Sequence, residues 1–321
     1  MTQSAERTGR AGGGTPGGPG VQGGPRGLLG TARALVRACR PRQWLKNLLV
    51  LAAPGAAGAL GSPDALLTCA AVFALFCAAA SGTYLLNDVH DADRDRAHAR
   101  KRHRPVASGA LPVPVAVTAG AVLGAAAPLA SLALGDPLLT GLVTGYVLLT
   151  LAYTRRLKDV VVCDLVVVAA CHVLRAAAGG AAVGVPLTSW FVIVVSLAAL
   201  LVVVGKREAE LRAFRDAGAS AAAPVRETLR GYTVAYLAQT RTMASAAMIV
   251  TYCLWALERG DASQPVFHAV SIVPFIMFVL RYNLLVDRGA GEEPEEIALR
   301  DRPLQVTLVS LAVLVGLGIH L

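Results

Sequence analysis

Nine runs of predominantly apolar residues, each 18 to 28 residues long, alternate along this chain with short charged segments. The runs cover residues 44–61, 65–87, 112–134, 137–154, 160–183, 187–205, 230–257, 266–285 and 303–321. Because a hydrocarbon core about 30 Å thick needs about 20 apolar residues in a helix, such runs predict membrane-spanning helices. The composition agrees, since 55% of the residues are hydrophobic and only 16% are charged. We therefore predict an all-α polytopic membrane protein with nine transmembrane helices.

The first thirty residues differ from the rest of the chain. They include "AGGGTPGGPGVQGGP" and contain no apolar stretch of the kind found in a secretory signal peptide. So much Gly and Pro cannot bury enough apolar surface to pack. We expect residues 1–30 to form a disordered cytoplasmic tail and residues 31–321 to form one transmembrane catalytic domain.

The arginines and lysines fall almost entirely on one side of the predicted membrane. If the nine helices alternate in direction, 27 of the 30 basic residues lie on the side of the N-terminus. Arg259 lies opposite, and Arg175 and Arg241 lie within helices. Basic loops stay in the cytoplasm, so the N-terminus and the charged connections are predicted to be cytoplasmic in a multi-pass plasma-membrane protein. The net charge of +9 therefore reflects topology, and we expect no nucleic-acid partner.

An acidic cluster follows the second apolar run, in "LLNDVHDADRDRAHARKRHRPVASG" at residues 85–109. On a helix, Asp88, Asp91 and Asp95 would lie within about 60° of one another, with Asn87 at the edge, whereas Asp93 would point elsewhere. Three such carboxylates repel one another unless a cation lies among them, and Mg²⁺ prefers oxygen ligands and completes its shell with water and substrate phosphates. The four side chains predict a Mg²⁺ site for a diphosphate. The alternative is a solvated helix end whose acids pair with nearby arginines.

Basic residues follow these carboxylates directly, in "RKRHRPVASG". Lysine and arginine bind phosphate oxygens, so Lys101 and Arg104 are candidate ligands for the same diphosphate. The alternative is a loop that sets topology and binds lipid headgroups.

A third charged cluster, "YTRRLKDVVVCD", connects the fourth and fifth runs. It contributes Tyr153, Lys158 and Asp164, and Arg175 returns eleven residues later to nearly the same helical face as Asp164. Ionisable groups inside a membrane helix are costly and therefore mark candidate functional sites. The alternative is that they form structural ion pairs.

Two further segments place charge at the membrane boundary. In "GKREAELRAFR", the spacings predict the ion pairs Glu208–Arg212 and Arg207–Glu210, which ordinary helix pairing explains. Lys206 and Arg207 lie nearest the membrane and are the ligand candidates there. In "RPRQWLKN", Lys46 and Asn47 lie where the first run enters the membrane.

These motifs together resemble the UbiA superfamily of intramembrane prenyltransferases. The resemblance rests on "RPRQWLKN", on Asn87 to Asp95, and on "YTRRLKDVVVCD", "LRAAAGG" and "GKREAEL", and it extends over nearly the whole chain after the tail. It implies a bundle of nine helices around a cavity open to the cytoplasm. Many members carry a second DxxxD motif, whereas Asp159 and Asp164 here have four residues between them and would point about 140° apart on one helix.

The motifs are most similar to the branch of this superfamily that uses phosphoribosyl pyrophosphate (PRPP). The resemblance implies Mg²⁺-dependent transfer of 5-phosphoribosyl from PRPP to polyprenyl (decaprenyl) phosphate, on the way to the arabinose donor for cell-wall arabinan. Asp88, Asp91, Asp95 and Lys158 are the catalytic candidates. The substrate-binding candidates are Lys46, Asn47, Tyr84, Lys101, Arg104, Tyr153, Lys158, Asp164, Arg175, Lys206 and Arg207. A phosphate nucleophile is already ionised near neutral pH, so no general base is expected.

Two alternatives remain open at this point. A prenyltransferase could move an isoprenoid from its diphosphate to an aromatic or lipid acceptor with the same first acidic motif, although it would normally need the second motif and an aromatic pocket. A transporter could use Asp164, Arg175 and Arg241 as a polar pathway, although no inverted repeat is evident. A homo-oligomer is compatible with each of these functions.

Overall fold

A computed structural model describes residues 27–98, 101–216, 227–258, 265–292 and 294–320. These parts of the chain are helical and contain no strand. The α-helices are α1 (Leu28–Ala38), α2 (Ala52–Ala56), α3 (Pro63–His90), α4 (Ala92–Arg96), α5 (Val113–Ser131), α6 (Pro137–Arg155), α7 (Cys163–Val183), α8 (Ser189–Asp216), α9 (Glu227–Arg230), α10 (Val234–Glu258), α11 (Pro265–Asp287), α12 (Pro294–Arg300) and α13 (Arg302–His320).

Seven helices in the described ranges are long and apolar enough to cross a membrane, namely α3, α5, α6, α7, α8, α11 and α13. An eighth, α10, has 25 residues but includes the polar Gln239, Thr240 and Arg241, and it is not among the seven. Eight of the nine predicted runs therefore fall on helices of 19 residues or more. The structure confirms a polytopic helical membrane protein.

The first predicted run, residues 44–61, is not one continuous helix. A 3-10 segment spans Pro41–Leu51, the short α2 follows, and a 3-10 turn covers Ala59–Gly61. Gly58 between them has φ of +72°, a left-handed conformation that ends a helix. The predicted count of nine spanning helices is therefore not confirmed.

The N-terminal boundary also differs from the prediction. Helix α1 begins at Leu28, so the last three residues of the predicted tail are helical, and residues 1–26 lie outside the described residues. Ala34 and Ala38 are buried against the end of α3 and residues 106–116, whereas Leu28 and Leu29 are exposed. The packed part of the protein thus starts before the first apolar run.

Four helix ends meet at one end of the bundle. The C-terminus of α3 contacts the C-terminus of α6, because the Thr154 hydroxyl donates to Asn87 Oδ1 over 3.1 Å. The start of α7 contacts the C-terminal third of α8, where Arg207 pairs with Asp164 over 3.0 Å. The packing of α3 on α6 and α7, and of α7 on α8, holds these ends together. The charged segments singled out in the sequence are therefore neighbours in space.

The contact between α7 and the 3-10 segment gives a test of the fold. A Cβ on Gly179 would lie 1.7 Å from the Val50 carbonyl oxygen, so Gly179→Ala must push two backbones apart. We expect it to destabilise the protein by at least about 1–3 kcal/mol, the usual cost of overpacking. Gly145→Ala in α6 is the matched control, since its added Cβ would meet no side chain and no neighbouring segment within 4 Å. Thermal unfolding in detergent checks this, and equal melting temperatures for the two variants would contradict the packing of α7.

Candidate active site

The carboxylate of Asp88, at the end of α3, lies between two arginines. Its side chain is 1% exposed, and its Oδ1 accepts hydrogen bonds from Arg40 Nη2 at 2.5 Å and Arg104 Nη1 at 3.3 Å. Arg104 Nη1 also donates to Asp95 Oδ2 at 2.7 Å, so this arginine joins two acids. We call Asp88, Asp91, Asp95, Arg40, Arg104 and Lys158 the Asp88 cluster. Its acids and bases neutralise one another in pairs.

Asp91, three residues after Asp88, forms a separate ion pair. Lys158, in the 3-10 turn Leu157–Asp159 after α6, donates a hydrogen bond to Asp91 Oδ1, and Lys158 is buried. Asp93, by contrast, is 95% exposed and pairs with Arg96 on the outer face. The structure therefore links Asp88 to Asp95 through Arg104, pairs Asp91 separately with Lys158, and leaves Asp93 outside these pairs.

The acidic segment is nevertheless not the uninterrupted helix that the spacing argument assumed. Helix α3 ends at His90, Asp91 is its C-cap with φ of −94° and ψ of 5°, and α4 starts at Ala92. The three carboxylates consequently have different partners. Asp88 and Asp95 both pair with Arg104, whereas Asp91 pairs with Lys158. Within the described ranges, no three Asp, Glu, His or Cys side chains are grouped closely enough to hold a metal by themselves.

One carboxylate oxygen of the Asp88 cluster is suited to bind a cation. Asp88 Oδ2 is buried and has no hydrogen-bond partner among the described residues. A buried carboxylate oxygen without a partner costs free energy unless a ligand supplies its interaction. Mg²⁺ is commonly bound through one or two carboxylates plus substrate phosphates, so it does not need a closed protein cage. The donor set is thus compatible with Mg²⁺ brought in together with a phosphorylated substrate.

Asp164 forms a second cluster, beside the first, with Tyr153, Arg207, Thr228 and Tyr232. Its buried carboxylate accepts hydrogen bonds from Arg207 Nε at 3.0 Å, the Tyr232 hydroxyl at 2.6 Å and the Thr228 hydroxyl at 3.4 Å. Arg207 also donates to the Tyr153 hydroxyl at 3.3 Å. We call these five residues the Asp164 cluster. Asp164 therefore forms a buried ion pair, as the structural alternative allowed, but its partner is Arg207, which the sequence had offered as a ligand candidate.

Arg175 lies apart from Asp164 in the middle of α7. Its guanidinium donates to Asn47 Oδ1 at 2.7 Å, the Tyr146 hydroxyl at 2.8 Å and the Cys171 carbonyl at 2.7 Å. Its Cζ also lies 4.5 Å from the centroid of the Tyr146 ring. Arg175 therefore does not pair with Asp164, although both lie on nearly the same face of α7. Its partners come instead from α6, which supplies Tyr146, and from the 3-10 segment, which supplies Asn47. All of these partners of the buried cation are uncharged.

The remaining candidates lie around these clusters. Lys46 Nζ donates to Gln43 Oε1 at 2.7 Å, and the ring of Tyr84 lies 5.1 Å from the Arg40 guanidinium. Lys101 begins the 3-10 turn Lys101–His103, three residues before Arg104. Lys206 precedes Arg207 in α8 and is half-buried. Tyr84 and Lys101 are therefore near the Asp88 cluster, and Lys206 is near the Asp164 cluster.

Sequence reasoning missed several residues of the site. Arg40 stands before Pro41 in "RPRQWLKN" and has a left-handed φ of +54°, which is uncommon outside glycine. Only the fold reveals that it reaches Asp88. Thr228 and Tyr232 lie about 65 residues after Asp164, and no local pattern links them.

The structure confirms the two predicted ion pairs of α8. Arg207 pairs with Glu210 at 2.7 Å and Arg212 with Glu208 at 2.6 Å. Glu208 is also bound by Arg241 Nε of α10 at 2.7 Å, which explains a charge that the sequence left unassigned. These contacts tie α8 to α10 without needing a ligand.

The fold and the clusters define a membrane-embedded helical bundle with a polar site where its helix ends meet. The model of the UbiA prenyltransferase family matches residues 48–299, and the chain belongs to this family. This agrees with the resemblance found in the sequence motifs.

Individual relatives and solved structures extend this finding. The chain is 41% identical to the decaprenyl-phosphate phosphoribosyltransferase of Mycobacterium tuberculosis, with 89% of this chain and 94% of the relative covered. It is 39% identical to the Mycolicibacterium smegmatis protein of the same name, with 89% and 92% covered. Its fold is similar to that of a UbiA homolog from Archaeoglobus fulgidus bound to GPP and Mg²⁺, with a TM-score of 0.67, 18% identity and coverage of 90% of this chain and all of the other.

The two aspartates flanking the start of α7 give a stability test. Asp164→Asn weakens one of the two acidic partners of the buried Arg207, which keeps Glu210, so we expect a loss at the lower end of the about 3–5 kcal/mol that breaking a buried pair costs. Asp159→Asn is the control, because Asp159 is partly exposed and lies 3.8 Å from Arg94, a geometry worth about 0–1 kcal/mol. Denaturation in detergent should show a large loss for the first variant and a small one for the second. A stable Asp164→Asn variant would contradict a structural role for the carboxylate.

Proposed function

We propose that this protein transfers the 5-phosphoribosyl group of PRPP to a polyprenyl phosphate such as decaprenyl phosphate and releases pyrophosphate. The observation that carries the proposal is the carboxylate of Asp88. Its Oδ1 accepts hydrogen bonds from Arg40 and Arg104, and its Oδ2 is buried without a hydrogen-bond partner among the described residues. Relatives that bear the name of this activity are 37–41% identical over about nine-tenths of the chain, which supports the same substrates here.

The charges of the Asp88 cluster suit two anionic substrates. Arg40, Arg104 and Lys158 are paired with carboxylates in the absence of ligands, and each can turn its N–H donors to a diphosphate. Lys101 adds a further ammonium group beside them. We propose that these cations hold the pyrophosphate of PRPP and stabilise the negative charge that develops as it leaves.

We propose that Asn87, Asp88, Asp91 and Asp95 would hold Mg²⁺ when PRPP binds. The partnerless oxygen of Asp88 is the feature that supports this assignment. The ion would supply Lewis-acid neutralisation of the leaving pyrophosphate. Asn87, Asp88, Asp91 and Asp95 would hold the ion, while Arg40, Arg104 and Lys158 bind the phosphate oxygens directly.

The reaction breaks one bond at ribose C1 and forms another. The C1–O bond to pyrophosphate breaks, its electron pair leaves with pyrophosphate, and an oxygen of the lipid phosphate forms the new C1–O bond from the opposite face. The positive charge at C1 is short-lived because the nucleophile is already an anion. No residue needs to remove a proton, because the lipid phosphate is already ionised near neutral pH.

The other phosphates require additional cations. We propose that the 5-phosphate of PRPP and the phosphate of the lipid bind among Lys46, Arg175, Lys206 and Arg207, with polar contacts from Asn47, Tyr84 and Tyr153. Arg175 supports this, since it is a buried cation whose partners are uncharged. Asp164 would contribute by holding Arg207.

The arrangement of the chain in the membrane follows from this assignment. We propose that the protein lies in the plasma membrane with its N-terminus and the Asp88 cluster facing the cytoplasm, where soluble PRPP is available, while the lipid tail enters from the bilayer. Helix α10 and the Pro41–Ala56 segment would complete nine passages around the cavity. The product would then feed the formation of the arabinose donor for cell-wall arabinan.

A transfer assay tests the reaction directly. Purified protein in detergent, given labelled PRPP, decaprenyl phosphate and Mg²⁺, should move label into the organic phase, and chelation of divalent cations with EDTA should stop it. A parallel reaction offers a prenyl diphosphate and an aromatic acceptor. Transfer only in the second reaction would overturn the proposal in favour of a prenyltransferase.

Paired substitutions test the Asp88 cluster. Asp88→Asn removes the carboxylate that the arginines and Mg²⁺ would share, and we expect the transfer rate to fall about 100-fold or more. Asp93→Asn changes an acid five residues away that faces outward, and it should keep the parental rate. Melting temperatures in detergent show whether both variants fold. Equal transfer rates in the two folded variants would remove Asp88 from the mechanism.

A further inference from the structure

The loop that joins α6 to α7, residues 156–162, is held from two sides. On one side it carries Lys158, whose ammonium group donates to Asp91 in the Asp88 cluster. On the other side, four residues further along, the backbone N–H of Val162 donates to the Tyr232 hydroxyl at 2.6 Å. The position of Lys158 therefore depends on contacts that the catalytic residues do not make.

Tyr232 binds this loop and the start of α7 with a single hydroxyl group. The oxygen accepts from Val162 N–H, and the proton is donated to Asp164 Oδ1 at 2.6 Å. Tyr232 is 4% exposed, and burial together with the hydrogen bond to Asp164 raises its pKa. The phenol therefore keeps its proton across the physiological pH range, so both hydrogen bonds persist.

The backbone of Val162 shows that the loop is constrained. Its φ is +70°, which β-branched residues rarely adopt and which typically costs about 1–3 kcal/mol. The chain beside Tyr232 packs closely on the same loop, since a Cβ on Gly231 would lie 2.6 Å from Val161 Cγ2. Such a conformation persists only where the surroundings enforce it. Here the enforcing contacts come from Gly231 and Tyr232.

We propose that Tyr232 is a positioning residue that fixes the 156–162 loop and thereby keeps the Lys158 ammonium group in the Asp88 cluster, ready for the pyrophosphate of PRPP. The inference rests on the proposed function for the identity of that ligand. The positioning itself rests on Val162, Asp164 and the pairing of Lys158 with Asp91. Tyr232 does not contact the reacting atoms.

The first test measures Lys158 without using the reaction. Tyr232→Phe removes only the hydroxyl, and Asp164 keeps Arg207 and Thr228 as partners, so the variant should fold. Lys158 is labelled with an amine-reactive acetylating reagent in detergent and quantified by mass spectrometry. We expect labelling several times faster than in the parent protein. Tyr236→Phe is the control, because Tyr236 is exposed, stacks on Tyr232 with ring centroids 5.9 Å apart, and should leave the labelling rate unchanged.

The second test separates positioning from a general loss of folded protein. In Tyr232→Phe we expect kcat/KM for PRPP to fall roughly tenfold, the effect of one lost buried hydrogen bond, while KM for decaprenyl phosphate stays within about twofold. A mere loss of folded enzyme would lower kcat, leave both KM values unchanged and speed the labelling of all lysines alike. Lys158 labelling at the parental rate, or a rise shared equally by every lysine, would overturn the inference. If the parent protein transfers no phosphoribosyl group, the proposed function fails, whereas the labelling result still decides whether Tyr232 positions Lys158.

Discussion

The ion pairing of Asp88 with Arg40 and Arg104 is the interaction on which the rest of the site depends. Burying a carboxylate at a helix end in a membrane protein is expensive unless cations and donors compensate it. Arg40 comes from the junction after α1 and Arg104 from the loop before α5, so this one side chain ties both segments to the end of α3. The same pairing fixes the two guanidinium groups beside the end of α3.

Two other buried carboxylates are also compensated by cations and hydrogen-bond donors, and each holds a different pair of segments together. Asp164 is satisfied by Arg207, Thr228 and Tyr232, and it organises the start of α7. Glu208 is satisfied by Arg212 and Arg241, which fastens α8 to α10. Arg175 is the exception among these groups, because its hydrogen-bond partners are all uncharged.

The sequence predicted the class of fold and the location of the acidic site, but it failed where contacts are long in range. Apolar run length was enough to find eight long helices, and helical spacing was enough to separate Asp93 from its three neighbours. It missed the break in the first run, because the 3-10 geometry of Pro41–Leu51 depends on packing against α7. It also missed Arg40 and Tyr232, whose partners lie 48 and 68 residues away.

A structure of the protein with PRPP and Mg²⁺, determined by electron cryomicroscopy, tests the central claim most directly. The account predicts Mg²⁺ about 2.1 Å from an oxygen of Asp88, with the pyrophosphate of PRPP in contact with Lys158 and Arg104. A diphosphate bound elsewhere, with Asp88 still held by Arg40 and Arg104 alone, would contradict it.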